Sequence, residues 1–263
     1  MNRYTTFTIV VTSCVLLLVT LVSLEQTPSF LTYRPKEYDV TLITQIDNCD
    51  QTVFLEGLCQ GGNWAHIFTQ SLYLTNCLRS SSKQPRLSAE ELLQCTKWDE
   101  DKCSATPKSL KIVNSIKNFL LENGLSTNKC LSYKQTVNFN LKNKCPIRCD
   151  DLSFKKSELR AKDLIELTST QDIQDHIINK GPVVLALKYG SSLNEYSSGL
   201  YTTKKNDQDF GIRFLMVVGW HTETDGKITW KSLNSFGTQY GVDGRVNVGE
   251  KNQYILGYFG FDV

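Results

Sequence analysis

The chain has 263 residues and a formal net charge of +2, from 29 basic and 27 acidic side chains. That length suits one large domain, or two sub-domains sharing a cleft. The near balance of charge excludes the dense basic surface of a nucleic-acid binder and points to no acidic partner. Residues 7–24 form an apolar run behind Arg3 and the amino terminus. Such a run is a signal peptide or an uncleaved signal anchor, and its length sits at the minimum for crossing a bilayer. Ser23 offers a cleavage edge, although no Ala-x-Ala-like site follows. The positive flank sends the rest of the chain into the secretory lumen in either case, secreted or held by a type II tether. Residues 25–44 carry Pro and Thr and read as a linker.

Asn63 to about Arg79 reads as a helix with Trp64, Ile67, Phe68, Ser71, Leu72 and Thr75 on one face. Asn63 falls at its start and is expected to act as its N-cap. Ser88-Ala89-Glu90-Glu91 is a capping box that opens a short helix. Thr106 is expected to cap a third helix, with Pro107 in its first turn, a stripe of Ile112, Ile116 and Leu120, and Gly124 at its end. A fourth helix is predicted from Ser169 to Asn179, stopped by Gly181-Pro182. Beyond it Val183–Lys188, Phe214–Trp220 and Ile228–Leu233 are short apolar runs separated by Gly, Asn and Asp, which is strand-and-turn composition. A helical first half and a β-rich second half make an α+β molecule with a cleft between them.

Of nine cysteines, Cys14 lies in the apolar run, which leaves an even eight for an exported domain and favours disulfides. The three histidines, His66, His176 and His221, are scattered, and Cys145…Cys149 has the wrong spacing for a C-x-x-C pair. Neither a metal site nor a cofactor site is therefore expected. His66 is expected to be a packed or surface residue and His221 an exposed one. Trp64 and Trp220 read as core or cleft-wall residues.

Glu56-Gly57-Leu58-Cys59-Gln60-Gly61-Gly62-Asn63-Trp64-Ala65 resembles the nucleophile signature of papain-like cysteine proteases, C-G-[SA]-C-[WY], with one extra residue and with asparagine in place of the second cysteine. Further blocks carry the resemblance from about residue 45 to 250. Leu87–Cys95 is similar to the family's "LS-x-E-x-L-x-x-C" stretch, Lys180–Leu187 to its "GPV" strand, and Tyr196–Tyr201 to its "Y-x-x-G-[IV]-Y" turn. Leu233–Gly237 followed by Tyr240–Gly244 resembles "NSWG…WG-x-x-G". Val218-Gly219-Trp220, Cys130–Tyr133 and Cys145…Cys149 resemble the cathepsin B branch. The resemblance implies a papain-like two-sub-domain fold over residues 45–263, helical on the left and β-barrel-like on the right, with residues 25–44 a linker or vestigial pro-segment. It also implies the disulfides Cys49–Cys77, Cys59–Cys103, Cys95–Cys145 and Cys130–Cys149, which use all eight cysteines. Gly61, Gly62, Trp64 and Phe236 are then expected at the cleft.

At the catalytic positions the same resemblance implies loss. Asn63 stands where the nucleophile belongs, and a carboxamide forms no thiolate. Counting back six residues from Gly219 puts Arg213 at the position of the histidine base, and a guanidinium has no lone pair to accept a proton. Glu56 replaces the oxyanion glutamine and would repel developing negative charge. Only Asn234, which orients the base in the family, is kept, and the tryptophan two positions on is Phe236. The Cys130–Cys145 interval holds no histidine pair of an occluding loop, and the inhibitory propeptide is expected to be missing. The expectation is a catalytically inactive pseudoprotease, secreted, lumenal or lysosomal. Its role is to bind an unspecified peptide or protein partner through its cleft, or to serve as a structural or matrix protein through its outer surface. A peptidase with residual activity is the alternative, and oligomeric state is left open. Glu56 and Arg213 are expected to face each other across the cleft.

Overall fold

The computed structural model describes residues 33–42, 49–50, 55–57, 59–98, 103, 106–134, 145–153, 156, 158–204 and 207–263. The apolar run at 7–24, Cys14 and the stretches 25–32 and 43–48 lie outside the described residues.

Helix α1 (Asn63–Arg79) is the central element of the helical half. It is buried on nearly every side, because α2 (Ala89–Cys95) packs on one flank and the sheet on another. Phe68 meets Phe214 and Phe261 edge-on, with ring centroids 5.3 and 6.2 Å apart. Helix α3 (Lys111–Glu122) buries one stripe, Ile112, Val113, Ile116 and Leu120, as its spacing predicts. Gly124 ends it with a φ of 76°, a left-handed geometry that glycine adopts without a Cβ penalty. Helix α4 (Thr170–Asn179) begins at Ser169, whose side chain accepts the Asp172 amide.

The β half is one eight-stranded sheet. Its strands are β1 (Glu37–Asp39), β2 (Asp163–Leu167), β3 (Val183–Tyr189), β4 (Leu200–Tyr201), β5 (Gly211–Thr222), β6 (Ile228–Leu233), β7 (Arg245–Gly249) and β8 (Ile255–Asp262). The order is β2-β8-β3-β5-β6-β7-β4, with β1 added beside β5, and among the described residues only the β4–β7 pair is parallel. Strands β3 and β5 sit in the middle, and residues 211–220 of β5 are all buried. That explains their unbroken apolar runs, since neither face meets water. A short turn of helix, α5 (Ser191–Asn194), links β3 to β4.

Several local expectations are corrected. Strand β1 lies inside the stretch read as linker, because Tyr38 stacks on Trp220 at 5.1 Å and Trp220 donates to the Pro35 carbonyl at 3.0 Å. A Cβ at Gly219 would come within 2.1 Å of the Tyr38 carbonyl oxygen, so this close crossing requires glycine. Ser88 does accept the Glu91 amide at 3.0 Å. The return half of the capping box is missing, because Glu91 accepts instead from the Ser126 amide and hydroxyl, each at 2.6 Å, and pairs with Lys156. Thr106 does not cap α3. Its hydroxyl donates to the Phe210 carbonyl, the Pro107 carbonyl accepts from Ile212, and the helix starts at Lys111 behind Leu110.

Four disulfides, Cys49–Cys77, Cys59–Cys103, Cys95–Cys145 and Cys130–Cys149, are the pairs the resemblance implies. All of them lie in the helical half.

Candidate functional site

The site lies where the segment before α1 meets β5 and the end of β6. Glu56 is fixed by a backbone bond from its amide to the Ser235 carbonyl at 2.9 Å, and Leu55 bridges to Phe236. Arg213 lies on β5 opposite Leu187 of β3. Alternation along β5 sends Phe214 towards α1, leaving Arg213 on the other face, towards Glu56.

The two charges meet in a bidentate pair. Arg213 Nη1 donates to Glu56 Oε1 at 3.0 Å and Nη2 to Oε2 at 2.7 Å. Arg213 is 0% exposed and Glu56 1%. Two further donations anchor the guanidinium: Nε reaches Asn234 Oδ1 at 3.1 Å and Nη2 reaches Ser235 Oγ at 3.2 Å. Ser235 Oγ in turn donates to Glu56 Oε2 at 2.5 Å. Burial pushes the Glu56 carboxyl up, while the Arg213 charge and the hydrogen bonds from Arg213 and Ser235 pull it down. The Phe236 ring covers the guanidinium, its centroid 3.9 Å from Cζ.

Asn63 is not the N-cap of α1. Gly62 holds that place, and Asn63 is the first helical residue. Its side chain spans the seam instead. Nδ2 donates to Ser235 Oγ at 2.8 Å, and Oδ1 accepts the Phe214 amide at 2.7 Å. A cap bonds to the amides of its own first turn. Here the β5 amide is the stronger claim, because it is buried and needs an acceptor.

Gly61 and Phe236 line a cavity of about 760 Å³, together with Tyr189, Phe210, Arg213 and Tyr240 and a polar rim. Gly62 and Trp64 do not line it. Gly62 faces Cys59 Sγ and Leu93, and Trp64 is 1% exposed in the core. Cys59 is bonded to Cys103. His66 is buried edge-on against Tyr133 at 4.4 Å, and Tyr133 donates to the Glu56 carbonyl at 2.8 Å. Burial, helped by the Arg213 charge, pushes the His66 imidazole down to about 3, so it is neutral across the physiological range. His221 is exposed on β5. Among the described residues no group of three or more His, Cys, Asp or Glu could hold a metal ion. Ser235 was not anticipated from the sequence, although it directly follows Asn234 and binds every polar member of the site.

The model of the papain family cysteine proteases matches residues 35–257, and the chain belongs to that family. Among the proteins it resembles are cathepsin B-like ones. It is 26% identical over 218 residues to cathepsin B-like CP2 of Giardia intestinalis, covering 80% of this chain and 67% of that protein. Cathepsin B-like CP3 of the same organism is 25% identical over 237 residues, covering 87% and 76%. Among solved structures, procathepsin B S9 from Trypanosoma congolense superposes with a TM-score of 0.74 at 22% identity, over 90% of this chain and 80% of that one. A Carica candamarcensis cysteine protease in complex with E-64 superposes at 0.63 with 14% identity, over 87% and 98%. The fold is thus papain-like α+β. Four disulfides and this family place the chain in the secretory or lysosomal pathway. Among the described residues no helix is long and apolar enough to cross a membrane.

Proposed function

We propose that this chain is a catalytically inactive member of the papain family that binds a peptide or protein segment in its cleft. The observation that carries this reading is the buried, bidentate Glu56–Arg213 pair at the cleft base. In the family's arrangement those positions belong to the oxyanion donor and the base, with the nucleophile at Asn63. Here the carboxylate only accepts, the guanidinium only donates, and the carboxamide supplies neither thiolate nor base. Acyl transfer needs a nucleophile next to a base with a free lone pair, and this network consumes all three positions. Residues 7–24 would deliver the domain to the lumen, cleaved or as a tether.

The cleft above the pair supports a binding role, because it stays open at about 760 Å³, a volume within the range of ligand sites. A second cavity of about 560 Å³, lined by residues such as Thr202, Glu223, Asn252 and Tyr254, lies on the outer surface and supports the interaction-protein reading. A peptide library presented to the protein separates the two. Binding that a cleft substitution such as Gly61→Trp abolishes belongs to the cleft, and binding indifferent to it belongs to the outer surface. For the chemistry, neither the protein nor its Asn63→Cys variant should cleave dipeptidyl substrates, because Arg213 cannot take the thiol's proton. Turnover by the unmodified protein would refute the inactive reading.

A further inference from the structure

Building on the reading of the cleft as a peptide groove, we infer that its floor selects a neutral aromatic side chain, a tryptophan or tyrosine, from an extended peptide. Four rings line the cavity: Tyr189, Phe210, Phe236 and Tyr240. Tyr189 and Phe210 meet edge-on at 5.7 Å, and Phe236 and Tyr240 at 5.0 Å with planes 67° apart. Aromatic side chains joining such a set gain offset-stacked or edge contacts that aliphatic ones cannot.

The guanidinium below sets the preference. Phe236 is half-buried, one part of its ring seated on Arg213 at 3.9 Å and its remaining surface lining the cavity. A cation under a ring draws π density towards itself. The cavity side of Phe236 is therefore a poor seat for a second cation and a better partner for an electron-rich indole or phenol. A lysine or arginine side chain would also meet exposed Lys108 at the rim. Asp209, the rim carboxylate that could offset this, already accepts the Gly211 amide at 2.8 Å and is solvated. Exposed Asn194 and Gln239 stand at the same rim, and each carboxamide can both donate to and accept from a peptide main chain. The rings thus choose the side chain and the rim amides hold the backbone.

The test measures binding of the full-length protein to capped tetrapeptides carrying tryptophan, cyclohexylalanine or lysine at one position, with the other three randomised. The tryptophan set should bind about three- to tenfold more tightly than the cyclohexylalanine set, with lysine weakest. In the Glu56→Gln/Arg213→Gln double variant, which removes both charges and leaves the rings, the discrimination against lysine should shrink towards one while part of the tryptophan preference remains. Phe236→Leu, which removes the ring seated on Arg213, should reduce the tryptophan preference. Equal affinities for the tryptophan and cyclohexylalanine sets, or a lysine preference, would overturn this inference and leave the cleft reading standing. Absence of binding by all three sets would overturn both.

Discussion

The helical half and the β half of this molecule are stabilised by opposite means. The helical half holds all four disulfides, and its long connections are tied to short helices. The β half has no cysteine beyond Cys149 and relies on a continuous ladder around β3 and β5, whose residues Val183–Leu187 and Phe214–Val218 are almost fully inaccessible. The short helices of this half are joined by long loops, and covalent links there restrict the unfolded chain. A sheet with central strands covered on both faces does not need them. Between the halves lies a third kind of contact, a buried, charged and hydrogen-bonded network of Glu56, Asn63, Arg213 and Ser235. A charged seam of this kind is intolerant of partial change.

The seam should therefore give the largest single-residue effect. Glu56→Gln leaves the Arg213 charge buried without its counter-ion and should cost about 3–5 kcal/mol in denaturant unfolding. Adding Arg213→Gln should recover part of that loss, with a coupling of roughly 1 kcal/mol or more. Strictly additive effects would show that the seam is not a unit. The disulfides come next. Removing Cys130–Cys149 as a Ser pair should cost about 2–4 kcal/mol, and hydrogen exchange should rise in the helical half while β3 and β5 stay protected. A uniform rise would erase the distinction between the halves.

Acid should weaken the protein through two buried histidines, one in each half. Burial, reinforced by nearby cations, pushes His66 down to about 3 and His176 on α4 down to about 4. Both folded values lie below the unfolded one of 6.5, so the unfolded state binds more protons between them. Their contribution is complete above pH 6.5 and is lost as pH falls, for His176 down to about 4 and for His66 down to about 3. His66→Phe should flatten part of that slope in pH-dependent unfolding, and an unchanged slope would remove His66 from the account. A smaller effect is expected at Asn63→Ala, about 1–3 kcal/mol, from the buried Phe214 amide left without an acceptor. The least is expected at Lys227→Gln, since the Lys227–Asp225 pair is exposed and screened, and its melting temperature should match that of the parent.

Much of this architecture is legible in the sequence, and its gaps have physical causes. Helices α1 and α4 and strand β6 follow from periodicity, caps and turn residues, because those signals are local. Strand β5 reads two or three residues short at each end, since Gly211 and Arg213 look like a break until Glu56 supplies the partner that buries the charge. Strand β8 is hidden by Gly257 and Gly260. Gly260 lies against the His176 ring, a tertiary contact with no local signature. The meeting of Glu56 with Arg213, 157 residues apart, is visible only through the family resemblance. The sequence points to Asn63 as a cap because a helix start is a local signal, whereas the Phe214 amide that claims the side chain lies 151 residues away.

The most direct test of the central claim is the intact mass of the folded, unreduced protein after exposure to an epoxide that traps active-site thiolates. On the proposed reading of Asn63, and with Cys59 bonded to Cys103, the mass should be unchanged, and alkylation before reduction should find no reactive thiol among the eight paired cysteines. A stoichiometric epoxide adduct on Cys59, or on any cysteine of the pairs described, would contradict the proposed inactivity.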